Sequence, residues 1–285
     1  MTLNPHLVSE EIMAVIVSFN GCDKITKTVD ALVDHVGHIH IVDNASDKET
    51  ISILKKLSSE KKISISWLDE NTGLGHALNI GIQRAQVLGF NWLITMDQDS
   101  VVHTTMIQKY IAAISQTPSI KCLTPNYKEH NQVTKPKILK VNYAITSGNL
   151  VQMKVFDKIG MYNENLFIDG VDFDFSLRVR SAGWNIYYVT GAYMNHELGL
   201  KPCNLPIFGR FHTYHSPIRR YYIFRNYFYL SQEYIFKFPN FVIKSTIAHL
   251  GSVMTILILG DRRLASIKYI LRGFLDYIRN YKGSI

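Results

Sequence analysis

The first hundred residues alternate between short apolar runs and longer stretches in which apolar residues recur every three or four positions. The runs predict buried strands, and the longer stretches predict amphipathic helices. The predicted strands are residues 12–19, 39–42, 63–68 and 92–96, and the predicted helices are residues 24–35, 47–59 and 75–88. This alternation predicts an α/β fold with a mostly parallel sheet and helices on both of its faces.

The pattern is less regular between residues 100 and 200. Residues 104–115 and 172–182 have helical spacing, and the apolar run at residues 185–189 predicts a strand. Residues 126–140 are polar and predict a loop over the ligand side of the sheet.

The C-terminal part has a different character. Residues 208–238 contain twelve Phe or Tyr side chains interleaved with arginines, and residues 241–259 carry one formal charge. The second stretch is long enough to cross a membrane, but its polar residues recur at spacings of three and four, which favours an interfacial or packed helix. Residues 264–278 predict a last helix with an apolar and a basic face, which is either docked on the domain or laid on anionic lipid.

Composition excludes several classes of protein. Of the 285 residues 47% are hydrophobic and 19% charged, which excludes a disordered chain and allows one large domain, with or without an appendage. Three scattered cysteines are too few for a disulfide framework or a zinc site, which favours a reducing cytosolic setting. The first twenty residues contain Glu10 and Glu11 and no basic segment, so we expect no secretory signal.

The net charge of +8 is unevenly distributed. Residues 1–200 carry 18 Lys and Arg against 20 Asp and Glu, whereas residues 201–285 carry 13 against 3. All of the excess positive charge therefore lies in the C-terminal part, for which we expect an acidic partner: nucleic acid, phosphate groups or an anionic membrane.

An acidic pair, Asp97 and Asp99, follows the strand predicted at residues 92–96. Ligands of doubly wound sheets bind beyond the carboxyl ends of the strands. Two carboxylates there can converge on Mg²⁺ or Mn²⁺, which prefer oxygen ligands and share them with substrate phosphates. A solvated turn is the alternative. His196, beyond the last predicted strand, is either a structural histidine or a further ligand of the same cation.

Two further strand ends carry polar residues. Asp43 can accept hydrogen bonds from a base or a ribose hydroxyl, or it caps the helix that begins at residue 47. The loop that contains Gly73 and Gly75 allows close approach of a ligand, although it is neither a P-loop nor a dinucleotide fingerprint. A simple turn is again the alternative.

Three carboxylates, those of Asp169, Asp172 and Asp174, stand at the start of the helix predicted at residues 172–182. Acids in a first turn often serve only the helix dipole. Asp172 and Asp174 are two positions apart and point in different directions. One of them can therefore face a cleft as a general base while the other caps the helix or pairs with Arg178.

These motifs occur in a fixed order along the chain. They are Ser18-Phe19-Asn20, Asp43-Asn44, Asn71-x-Gly73 before a helix with Asn79 and Gly81, Asp97-Gln98-Asp99, Ser147-Gly148-Asn149, Phe167-x-Asp169-x-x-Asp172-x-Asp174-x-x-x-Arg178, Gly183-Trp184 and His196. Over about residues 12–230 the set resembles the family-2 inverting glycosyltransferases of the GT-A fold. The Asp-Gln-Asp-Ser form and the stretch at residues 216–222 most resemble bacterial rhamnosyltransferases of O-antigen and other surface polysaccharides.

The resemblance implies a role for each matched position. Asp172 is the implied catalytic base; Val171 replaces the acid that precedes it in the family pattern, and Asp169 is the competing candidate. Asp97, Asp99 and His196 are the implied ligands of Mg²⁺ or Mn²⁺. The implied nucleotide-sugar contacts are Ser18, Phe19, Asn20, Asp43, Asn71, Gly73, Asn79, Asp97 and Gln98, and the candidates for acceptor or diphosphate contacts are Asp169, Trp184, Arg219 and Arg220.

The resemblance also implies an organisation and an activity. Residues 1–205 are the expected catalytic domain, with a nucleotide-sugar half in about residues 1–100 and an acceptor half in about residues 101–205. Residues 206–285 are the expected helical region, which can associate with a membrane. The implied reaction transfers L-rhamnose from dTDP-L-rhamnose, with inversion, to a polyprenyl-diphosphate-linked glycan at the inner face of the bacterial cytoplasmic membrane.

Other interpretations of the sequence remain open. Within the same fold, the donor can be a UDP-hexose or UDP-galactofuranose. A nucleic-acid-binding protein would explain the basic, aromatic tail, but it leaves the acidic motifs unexplained and lacks a recognisable nucleic-acid-binding pattern. An inactive membrane scaffold of the same fold is a further alternative. We expect no nucleic-acid partner, and the sequence leaves an oligomer open.

Overall fold

The computed structural model of the protein describes residues 8–127, 136–196, 203–205, 209–211, 215–260 and 262–285. The chain forms two compact units. The first comprises Met1–Glu164 and Val171–Glu197, and the second comprises Asn165–Gly170 and Leu198–Ile285. The short segment Asn165–Gly170 thus belongs to the C-terminal unit, although the first unit surrounds it in sequence. The domain boundary expected after residue 205 stays a prediction.

The first unit is an α/β structure. Its strands are β1 (Ile12–Ser18), β2 (His38–Asp43), β3 (Ile63–Trp67), β4 (Trp92–Asp97), β5 (Ser100–Val102), β6 (Cys122–Asn126), β7 (Ile138–Val141), β8 (Asn149–Gln152) and β9 (Ile186–His196). Its helices are α1 (Asp23–Asp30), α2 (Lys48–Leu57), α3 (Leu74–Leu88), α4 (Met106–Gln116), α5 (Met153–Ile159) and α6 (Val171–Ser181). The strand order is β3-β2-β1-β4-β8-β6-β9-β5, with β7 paired to β9. The predicted fold class is confirmed.

The parallel part of the sheet aligns the strand ends at which polar residues were predicted. In β1, Ser18 lies opposite Asp43 of β2, and Val17 lies opposite Asp97 of β4. β1 is apolar and buried along almost its whole length, as expected for a central strand covered on both faces. The register therefore brings the ends of three strands to one edge of the sheet.

Several elements after residue 100 differ from the prediction. Residues 138–141 form β7 rather than a loop, because they pair antiparallel with β9; residues 128–135 of that predicted loop lie outside the described residues. The strand predicted at residues 185–189 continues to His196. Gly191 suggests a break in the sequence, but an added Cβ there would lie 2.9 Å from Cγ of Pro136, so this glycine permits close packing.

The described part of the second unit is mainly helical. It contains β10 (Cys203–Leu205) and β11 (Gly209–Phe211), which pair antiparallel, and the helices α7 (Pro217–Tyr234), α8 (Pro239–Leu259) and α9 (Arg263–Ile278). α7 packs against both α8 and α9. Its first turn is capped by Ser216, whose hydroxyl accepts a hydrogen bond from the Arg219 amide. The predicted C-terminal helical region is confirmed.

The apolar side of α8 faces outward. Ile243, Ile247 and Leu250 are all more than half exposed, whereas His249 of the predicted polar stripe stacks on Tyr227 of α7. Within the described residues, one stretch, Pro239–Ile258, is long and apolar enough to cross a membrane, and 17% of it is buried. His249 of the polar stripe thus packs against α7, while several hydrophobic side chains of α8 lie on the surface.

Candidate active site

The end of β1 is joined to the turn after β4 by Gln98. The Gln98 side chain accepts a hydrogen bond from the Phe19 amide at 2.8 Å and donates one to the Phe19 carbonyl at 3.0 Å. The Gln98 carbonyl accepts a hydrogen bond from the Thr28 hydroxyl at 2.9 Å. Gln98 therefore fixes the backbone on both sides of this strand edge, while the Phe19 side chain stays exposed.

Asp43 is buried at the end of β2, and only one of its carboxylate oxygens has a partner. Its Oδ2 accepts a hydrogen bond from the Ser46 amide, whereas Oδ1 and the adjacent buried Ser18 hydroxyl have none among the described residues. The cap of α2 is Asp47, which accepts from the Thr50 amide at 2.8 Å, so Asp43 is not that cap. Buried polar atoms without partners are costly, and a polar ligand at this edge would satisfy both.

Asparagine side chains shape the loop before α3. The Asn44 amide donates to Oδ1 of Asn71 at 3.0 Å and accepts from the Thr72 amide at 2.9 Å. The Asn71 oxygen also accepts from the Gly73 amide, and Gly73 has a φ of 89° that favours glycine. Asn71 and Gly73 thus build the loop, and their contact with a nucleotide sugar stays a prediction.

Asn79 lies on the buried side of α3. Its side chain donates to the Tyr162 carbonyl and to Glu164, and it accepts from the Tyr162 amide at 2.8 Å. His76 Nδ1 is also hydrogen-bonded to the Glu164 carboxylate, at 2.8 Å. Burial alone would raise the pKa of Glu164, but the hydrogen bonds from Asn79 and His76 outweigh it and lower that pKa. The structure therefore gives Asn79 protein partners; its predicted contact with the donor is untested.

Asp97 ends β4 and is supported from the turn that precedes β8. Its backbone amide donates to the Ser147 hydroxyl at 3.1 Å, and that hydroxyl donates to Ser100 at 2.8 Å. The carbonyl of Ser147 accepts a hydrogen bond from the Tyr127 hydroxyl at 2.9 Å. Tyr127 was not singled out in the sequence, because an isolated tyrosine after a short strand carries no motif.

Two of the predicted carboxylates, Asp97 and Asp172, act electrostatically on Tyr127. Burial raises the pKa of the Tyr127 hydroxyl well above its ordinary value, and the negative charges of Asp97 and Asp172 raise it further. Two acids that are far apart in sequence thus act electrostatically on the same buried hydroxyl.

The helix α6 separates the roles of its acids. Asp174 is buried and accepts a hydrogen bond from Arg178 Nε at 2.8 Å, one helical turn away. Asp172 is partly exposed, and its Oδ1 accepts a hydrogen bond from the Phe173 amide at 2.9 Å. The acid that pairs with Arg178 is therefore Asp174, which leaves Asp172 as the one that can meet a substrate.

The predicted metal ligands come from two strands. Asp97 and Asp99 are both partly exposed, and the backbone of His196 pairs with Ser100, directly after Asp99. The His196 side chain lies outside the described residues, and within them no group of three or more His, Cys, Asp or Glu residues is suited to hold a metal ion. Two carboxylates fit a hard divalent cation that takes further oxygen ligands from a bound diphosphate.

The remaining candidates have partners of their own within each unit. In the first unit, the Trp184 ring is covered by the ammonium group of Lys121 at 5.6 Å. In the second unit, Arg219 forms an ion pair with Asp169, and Arg220 Nε donates to the His215 carbonyl at 3.2 Å. Burial lowers the pKa of Arg220. The pairing of Asp169 with Arg219 favours Asp172 over Asp169 as the general base.

The chain is similar to known glycosyltransferases. The chain is 29% identical over 252 residues to dTDP-rhamnosyl transferase RfbF of Shigella flexneri, which covers 79% of this chain and 81% of that protein. It is 21% identical over 258 residues to galactofuranosyltransferase GlfT1 of Mycolicibacterium smegmatis, which covers 79% of this chain and 84% of that protein.

Two solved structures share the fold. The structure of S. aureus TarS in complex with UDP-GlcNAc is 15% identical with a TM-score of 0.65, covering 95% of this chain and 81% of that chain. The structure of GalNAc-T7 with UDP, GalNAc and Mn²⁺ is 19% identical with a TM-score of 0.56, covering 68% of this chain and 44% of that chain. The predicted GT-A architecture is thereby confirmed.

The family itself follows from a match over more than half of the chain. The sequence profile of glycosyl transferase family 2 matches residues 13–186, which include the strand edge, the acidic pair after β4 and the start of α6. The predicted resemblance is confirmed, and the chain belongs to glycosyl transferase family 2.

Proposed function

We propose that this protein transfers L-rhamnose from dTDP-L-rhamnose to a lipid-linked oligosaccharide, with inversion, in the synthesis of bacterial O-antigen or another surface polysaccharide. The observation that carries the proposal is the strand edge of this family-2 chain, where Asp43 and Asp97 end β2 and β4 beside β1 and where Ser18 Oγ and Asp43 Oδ1 are buried without partners among the described residues. The similarity to a dTDP-rhamnosyl transferase supports the choice of donor.

The nucleotide half of the donor binds at the shared edge of β1, β2 and β4. The buried Ser18 hydroxyl and Asp43 Oδ1 have no partners among the described residues and can bond with the base or the ribose. Gln98 and Asn20 hold the surrounding backbone, since Asn20 Oδ1 accepts a hydrogen bond from the Asp47 amide at 2.8 Å. The exposed Phe19 ring offers an apolar surface beside this edge.

Asp97 and Asp99 would hold Mg²⁺ or Mn²⁺ together with the donor diphosphate, and His196 is the proposed third protein ligand. The cation, when bound, neutralises the charge that develops on the departing nucleoside diphosphate. The backbone bond from Asp97 to Ser147 and the pairing of Ser100 with His196 support the carboxylate positions from two sides. The GalNAc-T7 structure contains Mn²⁺ and shares the fold of this chain, which supports the proposal of a divalent cation here.

The chemistry is a single displacement at the anomeric carbon. The acceptor hydroxyl oxygen forms a bond to that carbon while the bond to the diphosphate oxygen breaks, and the electron pair leaves with dTDP. Asp172 accepts the proton of the attacking hydroxyl, as a partly exposed carboxylate can. Attack and departure occur on opposite faces of the sugar, so the configuration inverts, through a transition state with oxocarbenium character.

The acceptor is proposed to carry a polyprenyl diphosphate. Trp184 and Asp169 are candidates for contacts with its sugars, and Arg219 and Arg220 are candidates for its diphosphate, because guanidinium groups match phosphate oxygens. An acceptor of this kind resides in a membrane, so an enzyme that uses it is expected to bind the membrane surface.

We place the protein on the inner face of the cytoplasmic membrane through α8 and α9. The outward side chains of α8 are apolar, and Leu264, Leu271 and Ile278 of α9 are more than half exposed. The same helices carry several basic residues: Lys244, Arg263, Lys268 and Arg272. Exposed hydrophobic side chains beside basic ones are typical of helices that lie in an anionic bilayer surface.

The donor assignment predicts a selective thermal response. With Mg²⁺ present, dTDP-L-rhamnose is expected to raise the unfolding temperature of the protein, because a ligand that binds only the folded state stabilises it. UDP-glucose, UDP-galactose and UDP-galactofuranose at the same concentration serve as matched controls. If only UDP-galactofuranose raises the unfolding temperature, the rhamnose assignment is wrong and the donor is UDP-galactofuranose, as the similarity to GlfT1 suggests.

The membrane assignment predicts a loss of lipid binding when the outer face of α8 is charged. The double variant Ile247→Glu/Leu250→Glu is expected to reduce cosedimentation with phosphatidylglycerol liposomes by about tenfold, because two exposed apolar side chains that the bilayer would cover are replaced by anions. The control Val87→Glu/Leu88→Glu changes two exposed apolar residues of α3. Equal liposome binding by the wild type and both variants would refute the assignment. If the wild type is a dimer and Ile247→Glu/Leu250→Glu is a monomer, the outer face of α8 is a dimer interface instead.

A further inference from the structure

One face of α7 contacts the whole segment Asn165–Gly170. Arg219 forms an ion pair with Asp169, and Tyr222 stacks on Phe167 with ring centroids 4.9 Å apart. Further along the same face, the Asn226 side chain donates hydrogen bonds to carbonyl groups of the segment. Leu230 packs closely on Gly170, since a Cβ added to Gly170 would lie 3.1 Å from Leu230 Cδ1. The contacting residues of α7 are three or four positions apart, which is the spacing of one helical face.

The centre of this contact is a buried polar pair, Arg225 and Asn226. The Asn226 amide nitrogen lies 2.7–2.8 Å from the carbonyl oxygens of Leu166, Ile168 and Asp169. Its oxygen accepts from Arg225, and the Arg225 guanidinium, which is 0% exposed, donates to the carbonyls of Asn165 and Leu166. Two side chains therefore supply hydrogen bonds to four carbonyl groups of this irregular segment, those of Asn165, Leu166, Ile168 and Asp169.

The segment that they hold has an unfavourable backbone conformation. Phe167 has a φ of 63° and Asp169 a φ of 60°, and both values fall in the left-handed region that residues other than glycine rarely occupy. Gly170 follows with a φ of 87°. Such conformations persist only where surrounding contacts impose them, and they cluster at functional sites. Most of the contacts here come from α7, and the Gly283 amide adds a hydrogen bond to the Asn165 carbonyl at 2.9 Å.

We infer that Asn226 and Arg225 are positioning residues for the catalytic base. The segment that they hold runs directly into α6, in which Asp172 is the second residue. A carboxylate that must receive a proton from an attacking hydroxyl depends on its placement to a fraction of an ångström. The inference rests on the proposed function, because it requires Asp172 to be the base.

Simple stabilisation of the second unit is the competing explanation, since Arg225 also donates to the Gly283 carbonyl at 2.6 Å and contacts Tyr221. The two explanations differ in what they predict for turnover. A stabilising role lowers the unfolding temperature and leaves turnover per folded molecule unchanged. A positioning role lowers turnover at temperatures where the variant is fully folded.

The test compares Asn226→Ala with Tyr227→Phe. The control removes the hydrogen bond between Tyr227 and Thr246, which joins the same helix to α8 and does not involve Asn165–Gly170. Each substitution is made in the full-length wild-type chain and in Asp172→Asn. The measurements are dTDP release from dTDP-L-rhamnose with the lipid-linked oligosaccharide fraction of bacterial membranes, donor affinity with Mg²⁺ by titration calorimetry, and the unfolding temperature.

Asn226→Ala is expected to lower kcat by about 10²-fold, the order of loss that a displacement of about 1 Å causes, while donor affinity changes by less than about twofold. In the Asp172→Asn background it is expected to cost less than about twofold, because two residues that act through one group are not additive. Tyr227→Phe is expected to be neutral in both backgrounds. Asn226→Ser keeps one hydrogen-bond donor and is expected to lose less kcat than Asn226→Ala. It replaces the alanine variant in the test if that variant does not fold.

If the kcat losses of Asn226→Ala and Asp172→Asn multiply in the double variant, the positioning role is overturned and the proposed function stays intact. A wild-type kcat for folded Asn226→Ala, or a parallel loss of donor affinity, would also overturn it. Normal turnover of Asp172→Asn alone would instead overturn the proposed base, and the inference with it.

Discussion

Asp99→Ala is expected to abolish most of the metal-dependent activity, with a loss of about 10²–10³-fold in kcat/KM for dTDP-L-rhamnose, comparable to removal of one preorganised charge-stabilising group. Asp97 and Asp99 are both partly exposed at the end of β4, where the doubly wound sheet binds ligands. Removing one carboxylate leaves the diphosphate and the cation with one fewer anionic ligand, so affinity for the metal-bound donor falls as well.

The measurement is donor titration and dTDP release over a range of Mg²⁺ and Mn²⁺ concentrations. Asp34→Ala serves as the control because it removes an exposed carboxylate from the stretch after α1. The control is expected to match the wild type. EDTA is expected to stop turnover by the wild type, and activity that persists in EDTA would rule out the metal role of Asp97 and Asp99.

The first hundred residues could be predicted well because their elements are long and strongly periodic. β1 and β4 are continuous apolar runs, and α3 has apolar positions along one side over fifteen residues. The order of strands and helices then determines the parallel sheet and the edge at which Asp43 and Asp97 lie. Local sequence carries enough information for this half of the fold.

The second half of the sheet was harder to predict because its strands are short and are defined by their partners. β8 has four residues and leads without a loop into α5, and β6 contains a proline. β7 pairs only with β9 among the described residues and is partly exposed, so its polar composition resembles that of a loop. Pairing across a sheet is a long-range property that a local pattern does not contain.

The candidate site shows the same division. Asp97, Asp172 and Asp43 could be found from their places at strand and helix ends. The groups that support them were harder to find: Ser147 stands in a matched motif without an assigned role, and Tyr127 and Asn226 act through hydrogen bonds to distant backbone. No spacing in the sequence distinguishes such side chains from ordinary polar residues.

The polar stripe of α8 favoured an interfacial or packed helix without indicating which side of the helix packs. In the structure His249 of that stripe packs on Tyr227, and the apolar side is exposed. The polar side chains satisfy themselves within their own helix, as Thr255 does by donating to the Gly251 carbonyl. Which side of a helix faces the protein depends on its neighbours, and α7 offers aromatic rings on that side.

Asp172→Asn is the most direct test of the claim that one carboxylate of α6 serves as the base. The substitution keeps the size of the side chain and an oxygen that can accept from the Phe173 amide. It removes the ability to accept a proton, which is expected to lower kcat by about 10²–10⁴-fold. Donor and metal binding are expected to stay within about twofold of the wild type, because Asp97, Asp99 and Asp43 are unchanged.

The decisive measurement is single-turnover release of dTDP from dTDP-L-rhamnose with the lipid-linked acceptor fraction, paired with donor titration on the same samples. Asp157→Asn, a change at an exposed carboxylate of α5, is the control and is expected to match the wild type. The proposed base predicts a slow Asp172→Asn reaction with normal donor affinity. Wild-type turnover in that variant would contradict it.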